Sequence, residues 1–246
     1  MFGLFRKRSE GKPILIVGMS HINAIARALS DDDRRTIQVM NLVADKAAFD
    51  VPKDRLNLKA FAGLTPDFVF FSIKGNFHNA FGLIEHPTRM SIGDAARGRV
   101  PDDDARHFVP EDMVREHMKE QLETIAFRHL RRLAERFRSA RLFHLGFPPP
   151  NGDAGHIAEH PGIFRAKLPL GVAPIGLRRK FYDIHADLYR DECRALGIEI
   201  VEVPACTVSE EGGLRPEYWS RDPTHGNGRY GALVLRQIRA TAGVAQ

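Results

Sequence analysis

Cysteine is nearly missing from this chain. Cys193 and Cys206 are the only two among 246 residues, and their spacing suits neither a metal site nor a redox pair, which excludes a disulfide scaffold. Both are expected to be ordinary packing residues. Long apolar runs are also missing. Nothing approaches the ~18 consecutive residues that cross a bilayer, so no stable membrane insertion is expected. The first twelve residues place Phe2, Leu4 and Phe5 ahead of Arg6, Lys7 and Arg8. No apolar stretch of ~7 or more residues follows the basic part, so this is not a secretory leader. Residues 1–12 are expected to form a flexible tail, followed by one domain over 13–246. Few thiols and no leader lead to the expectation of a reducing, cytoplasmic location.

A dense block of one charge is absent too. The net charge is +5 and the isoelectric point about 9.4, but the arginines are scattered. The densest group, Arg131, Arg132, Arg136 and Arg138, shares its helix with Glu116, Glu120, Glu123 and Glu135. That pattern describes a solvated helix face, so no nucleic-acid partner is expected.

What is present is an alternation of strand and helix signals. Five apolar runs bounded by breakers predict strands at Pro13–Gly18, Thr36–Leu42, Asp67–Ile73, Ala140–Leu145 and Ile198–Val203. Their near-continuous apolar character is that of strands covered on both faces. Helical periodicity predicts helices over Ile22–Leu29, Glu111–Arg138, Arg178–Leu196 and Gly228–Ala240. The alternation implies an α/β fold, with a mostly parallel five-stranded sheet between helical layers. Two segments, Glu85–Pro110 with its acidic run Asp102, Asp103 and Asp104, and the Pro- and Gly-rich Phe147–Gly176, read as long loops. Both follow the C-terminal end of a predicted strand, where ligands bind in open parallel sheets.

Three short segments carry chemistry. Gly18-Met19-Ser20-His21 lies between the first strand and a helix, where backbone N–H groups converge and can hold a developing negative charge; on its own Ser20 could equally cap that helix. Lys74-Gly75-Asn76 follows the third strand. The Asn76 amide can donate to an oxyanion there, Asn79 is a second candidate for that role, and a turn Asn beside a Gly reads the same way. Asp222-Pro223-Thr224-His225 precedes the last helix. A carboxylate three residues ahead of an imidazole can accept its Nδ1–H and free Nε2 to take a proton.

An early Ser, a middle Asn and a late Asp-x-x-His, in that order and each at the end of a predicted element, resemble the blocks of the SGNH (GDSL-like) hydrolases. The sequence is similar to a divergent member over most of its length. The resemblance implies a flavodoxin-like three-layer sandwich. It implies hydrolysis of an O-acyl ester on a small molecule or carbohydrate, without a cofactor. Ser20 would be the nucleophile, His225 the general base, and Asp222 the residue that orients it. The Ser20 N–H and Asn76 would form the oxyanion hole, and Met19, His21, Lys74, Gly75 and Asn79 would lie at the pocket. An O-acyltransferase on the same residues, or a ligand-binding module that keeps only the fold, are the alternatives.

The departures from the family pattern are specific. Met19 stands where an Asp usually precedes the nucleophile, and Lys74 stands at a usual Gly. No oxyanion glycine follows the second strand in 41–50, where Asn41 or nearby backbone would have to substitute. His156 and His160 have a helical metal-ligand spacing, but Gly155, Pro161 and Gly162 predict a loop there, so no metal is expected.

Overall fold

The computed structural model describes residues 13–93 and 105–244. The expected tail at 1–12 and the acidic run 102–104 lie outside them. In chain order the elements are β1 (Ile14–Gly18), α1 (Ile22–Ala28), α2 (Asp33–Thr36), β2 (Ile37–Asn41), β3 (Phe49–Asp50), β4 (Arg55–Leu56), β5 (Phe68–Ser72), α3 (Phe77–Gly82), β6 (Met90–Gly93) and β7 (His107–Pro110). Then follow α4 (Glu111–Leu122), α5 (Arg128–Arg136), β8 (Arg141–Leu145), α6 (Ala154–Glu159), α7 (Ile175–Ala195), β9 (Glu199–Val201) and α8 (Gly228–Ala242).

All five predicted strands form, and they make one parallel sheet in the order β2-β1-β5-β8-β9. This is the doubly wound order in which the chain moves outward from β1 in both directions, leaving a crevice at the C-terminal rim. β1 is buried at every residue, as a strand covered on both faces must be. Its last residue, Gly18, is in register with Asn41 on one side and Ser72 on the other. The three segments that leave β1, β2 and β5 therefore emerge side by side.

Alternate residues of the strands face two cores. Leu15, Val17, Val69 and Phe71 pack with Phe127, Leu130, Ile184 and Tyr189 from the α4–α5 and α7 side. Ile14, Ile16, Phe70 and Phe143 pack with Ile22, Ile25, Val234 and Ile238 from α1 and α8. Each such side chain is worth about 1.5–3 kcal/mol of burial, and this is what closes the three layers. Gly231 lets α1 and α8 touch backbone to backbone: a Cβ there would lie 2.0 Å from the Ala24 carbonyl oxygen.

The helix predicted over Glu111–Arg138 forms over Glu111–Arg136, with α4 passing through a π turn at Glu123–Phe127 into α5. Its arginines also make specific contacts. Arg131 bridges Glu123 and Glu192, each at 2.7 Å. Arg136 donates to the Phe61 carbonyl (2.6 Å) and the Leu64 carbonyl (3.0 Å), and Arg132 to the Leu56 carbonyl (3.2 Å). Arg131, Arg132 and Arg138 are exposed, as a solvated helix face requires, while Arg132 and Arg136 also hold the segment before β5.

The two presumed loops contain elements. In the first, β6 and β7 pair in parallel; four-residue strands with mixed polarity carry too little periodicity to be seen. In the second, Asp153 caps α6 by accepting from the His156 N–H at 2.6 Å, so the 156–160 segment is helical rather than a loop. A 3₁₀ stretch follows at Gly162–Leu170. Buried Arg178 donates to the carbonyls of Ala173 (2.9 Å), Asn151 and Gly152 (3.1 Å) and fixes the segment to α7. Cys193 is buried as expected, but Cys206 is exposed. Among the described residues, no helix is long and apolar enough to cross a membrane.

Candidate active site

Ser20, His225 and Asp222 meet at the C-terminal rim of the sheet. β1 ends at Gly18, and Met19 N–H donates to the Ser72 carbonyl (3.0 Å), turning the chain into α1. Ser20 therefore stands at the entrance of that helix, and its own side chain makes no cap bond there. From the other end of the chain, the segment before α8 is closed by Asn227. Its Oδ1 caps α8 by accepting from the N–H groups of Arg229 (2.9 Å) and Tyr230 (3.2 Å), and its Nδ2 donates to the carbonyls of Glu217 (2.8 Å) and Trp219 (3.1 Å). The Ser220 N–H donates to the His225 carbonyl at 3.0 Å. His225 is thus held three residues before the first residue of a helix that packs directly on α1.

The Ser20 hydroxyl lies 2.7 Å from His225 Nε2, and His225 Nδ1 lies 2.8 Å from Asp222 Oδ1. An ionised carboxylate can only accept, so the Nδ1 proton faces Asp222 and Nε2 is left to accept from Ser20. The same carboxylate oxygen accepts from the N–H groups of Thr224 and His225, both at 2.9 Å. Burial works to raise the Asp222 pKa. The hydrogen bond and charge of His225, together with the Thr224 N–H, outweigh burial and hold it far below the usual carboxylate range. The side chains of His225 and Asp222 keep 25% and 32% of their surface exposed, so a ligand can reach the pair from solvent.

Two loops flank Ser20. On the β5 side, the N–H groups of Ser20, Gly75 and Asn76 and the Asn76 amide have no acceptor among the described residues. Lys74 adopts φ 48°, the left-handed region that L side chains enter at a cost of about 1–2 kcal/mol. This is the physical reason a glycine is usual there. At Gly75 a Cβ would lie 2.8 Å from the Phe147 ring and 2.9 Å from the His21 ring, so either ring would have to shift to admit one. Asn79 is buried on α3. On the β2 side, the backbone donors of 42–45 are taken. Leu42 N–H donates to the Gly18 carbonyl (2.8 Å), Val43 N–H to Asn41 Oδ1 (2.9 Å), and Ala44 and Asp45 N–H to the Asn41 carbonyl (3.1 and 2.8 Å). Asn41 Nδ2 itself donates to Asn23 Oδ1 at 2.7 Å. The backbone N–H groups of 42–45 are therefore spent, and one of the two Asn41 amide N–H groups is bonded to Asn23.

Beneath the Lys74-Gly75-Asn76 turn lies a layer that sequence reasoning did not find. Ile73, the residue before the turn, is held at both backbone groups. Its N–H donates to His144 Nε2 (3.5 Å), and its carbonyl accepts from the Tyr189 hydroxyl (2.6 Å). Phe147 stacks on His185 at 4.4 Å, and His185 Nδ1 lies 3.2 Å from His78 Nδ1. The Tyr182 hydroxyl donates to the Phe147 carbonyl (3.1 Å). Burial lowers His78 and His144 to about 3 and His185 well below the ordinary imidazole value, so these rings are neutral at neutral pH. A histidine inside the apolar strand Arg141–Leu145 was the available signal. Met19 belongs to the core rather than to an open pocket wall. His21 lies against His225, ring centres 4.7 Å apart, with both ring nitrogens buried and unpartnered. Burial first, and the nearby His225 second, depress its pKa well below 6.5. Pro148, Pro149 and Pro150 are buried under this rim. Trp219 is half-buried and donates its indole N–H to the Leu214 carbonyl (2.6 Å).

No protein-family model and no curated protein matches the sequence. Solved structures do. The chain is similar to the periplasmic domain of a lipopolysaccharide acetyltransferase from Salmonella ser. Paratyphi A, with TM-score 0.52 and 13% identity over 95% of this chain and 84% of that one. It is also similar to a protein of Slackia heliotrinireducens described as a candidate SGNH hydrolase, with TM-score 0.51 and 15% identity over 95% of this chain and 100% of that one. This chain has the SGNH hydrolase fold. The likeness at 13–15% identity concerns the backbone; what the site does has to be argued from its own atoms.

Proposed function

We propose that this protein is a serine esterase or deacylase that hydrolyses an O-acyl ester on a sugar or small metabolite. The observation that carries the reading is the unbroken series Ser20 Oγ, His225 Nε2, His225 Nδ1 and Asp222 Oδ1, with links of 2.7 and 2.8 Å. In this mechanism Ser20 Oγ attacks the ester carbonyl while His225 takes its proton. Asp222 holds the imidazole in the productive tautomer and stabilises the imidazolium. The oxyanion is held by the Ser20 N–H and the Asn76 amide, with the N–H of Gly75 or Asn76 within the same turn. His225 then gives its proton to the leaving alcohol, and water, deprotonated by the same ring, releases the acyl group from Ser20.

The oxyanion hole is one-sided in this account, since the backbone N–H groups of 42–45 beside the rim are bonded within their own loop. The acetyltransferase likeness and the partial exposure of the His225–Asp222 pair also suit a second outcome, in which a sugar hydroxyl replaces water as acceptor. Both outcomes share the acyl-enzyme. Short p-nitrophenyl esters test the shared step: the protein is expected to release p-nitrophenol, and Ser20→Ala to abolish it. Equal release by the two proteins would overturn the reading. Adding a carbohydrate acceptor and identifying the product separates hydrolysis from transfer.

A further inference from the structure

The segment after β2 does more than lack an oxyanion donor. Between Val43 and Lys59 it folds back as the small β3–β4 hairpin, clipped by Asn57, whose N–H donates to the Ala48 carbonyl (2.9 Å) and whose Nδ2 donates to the Ala47 carbonyl (2.8 Å). The hairpin is tied down from behind. Asp54, at φ 43°, accepts from Arg128 (2.6 Å) and lies 3.2 Å from His129 Nε2, while Arg132 donates to the Leu56 carbonyl (3.2 Å). The result is a preformed groove of about 780 Å³, large enough for a sugar-sized ligand. Its floor is the buried pair Phe49 and Leu56, and its lip carries the exposed Val43 and Val51.

The charge of the groove is unbalanced. Lys46, Arg55 and Lys59 line it against a single carboxylate, Asp50. Asp50 is shared between Arg55 (3.7 Å) and Lys53 (3.8 Å). Lys46 and Lys59 have no carboxylate within ion-pair distance among the described residues. None of the residues lining the groove belongs to the Ser20–His225–Asp222 series; the chain connects the two through the end of β2. The groove begins two residues beyond Asn41, which is in register with Gly18 and bonded to Asn23 on the helix that Ser20 opens.

We infer that this groove binds an anionic group, a carboxylate or a phosphate, on the alcohol part of the ester that Ser20 attacks, with Lys46 and Lys59 as its specificity-determining contacts. The inference rests on the esterase reading and narrows its substrate class to acylated anionic sugars or metabolites. The apolar floor takes a ring face, and the cations take the charge. The spent donors of the β2 loop are consistent with this division, since that loop is built as a binding wall and the β5 loop carries the charge stabilisation.

Two measurements test it. The first compares hydrolysis of an O-acetyl methyl glucoside with its 6-phosphate and with the corresponding O-acetyl methyl glucuronide. The wild-type protein is expected to prefer at least one anionic ester in kcat/KM. Lys46→Gln/Lys59→Gln is expected to reduce that preference about tenfold, the scale of two exposed ion pairs, mainly through KM, and added salt should do the same. The phosphate and uronate arms show which anion the groove takes. The second measurement titrates the same three ligands into Ser20→Ala, which cannot turn them over. Tighter binding of an anionic ligand that is weakened by the lysine substitutions supports the groove even if no ester is hydrolysed, in which case the esterase reading fails alone. Equal affinity of Ser20→Ala for the neutral and both anionic ligands would overturn the inference, whatever the enzyme's activity on neutral esters.

Discussion

The loops on either side of Ser20 start from the same place and are used in opposite ways. Both leave strands that end level with Gly18. After β5, the chain enters the left-handed region at Lys74, leaves the N–H groups of Gly75 and Asn76 unspent, and is braced from below by Tyr189 and His144 through Ile73. After β2, the chain turns on Asn41, which consumes the N–H groups of Val43, Ala44 and Asp45. A donor already bonded inside its own loop cannot strengthen its bond as charge develops on a substrate, whereas an unspent and rigidly held donor can. Position on the rim is therefore not enough to make an oxyanion donor; what matters is where the loop's own hydrogen bonds go.

The substitutions that break this comparison hardest act on the proton path between the loops. Ser20→Ala is expected to reduce kcat for a short ester by three orders of magnitude or more, and Asp222→Asn by about 10⁴, because an amide can present its N–H to Nδ1 and reverse the tautomer. Steady-state kinetics on folded protein check both; a loss of less than tenfold in either contradicts the assignment. Next comes the β5 loop. Asn76→Ala is expected to lower kcat by about 10²–10³ with little change in KM, as for loss of one oxyanion donor. The matching change on the other side, Asn41→Ala, is expected to alter kcat by less than roughly threefold, since its amide is tied to Asn23 and its oxygen and carbonyl to its own loop. Comparable losses from the two would erase the distinction between the loops.

The brace under the β5 loop has its own signature. Burial lowers His78 and His144 to about 3 in the folded protein, against about 6.5 when unfolded. Between those values the unfolded chain takes up protons that the native state refuses. Stability is therefore full above about pH 6.5 and is lost as pH falls toward 3, at about 1 kcal/mol per pH unit for each ring. Urea midpoints measured from pH 7 to pH 4.5 should fall steeply; a flat profile contradicts the neutral buried layer. The smallest effect is at the strained position. Lys74→Gly is expected to raise stability by about 1 kcal/mol, seen as a higher urea midpoint, because glycine enters φ 48° without a Cβ clash.

The five strands and the three terminal-rim residues were legible because the signals are local. Continuous apolar runs mark covered strands, and Ser20 and His225 each sit at an element boundary that breakers or caps announce. Packing of α8 on α1, which brings those boundaries together, follows from the doubly wound order. The supporting layer was not legible. Ile73 is held by partners 71 and 116 residues away, and no periodicity links a histidine in β8 to a tyrosine in α7. The β3–β4 hairpin escaped because its strands are two residues long. Helix α6 escaped because Gly155, Pro161 and Gly162 are loop signals, yet Asp153 caps a six-residue helix over Ala154–Glu159.

The most direct test of the central claim is the site of covalent labelling by a fluorophosphonate. The account predicts a single adduct on the peptide carrying Ser20, formed slowly or not at all in His225→Ala. An adduct on another residue, or none on wild-type protein that remains folded, would contradict it.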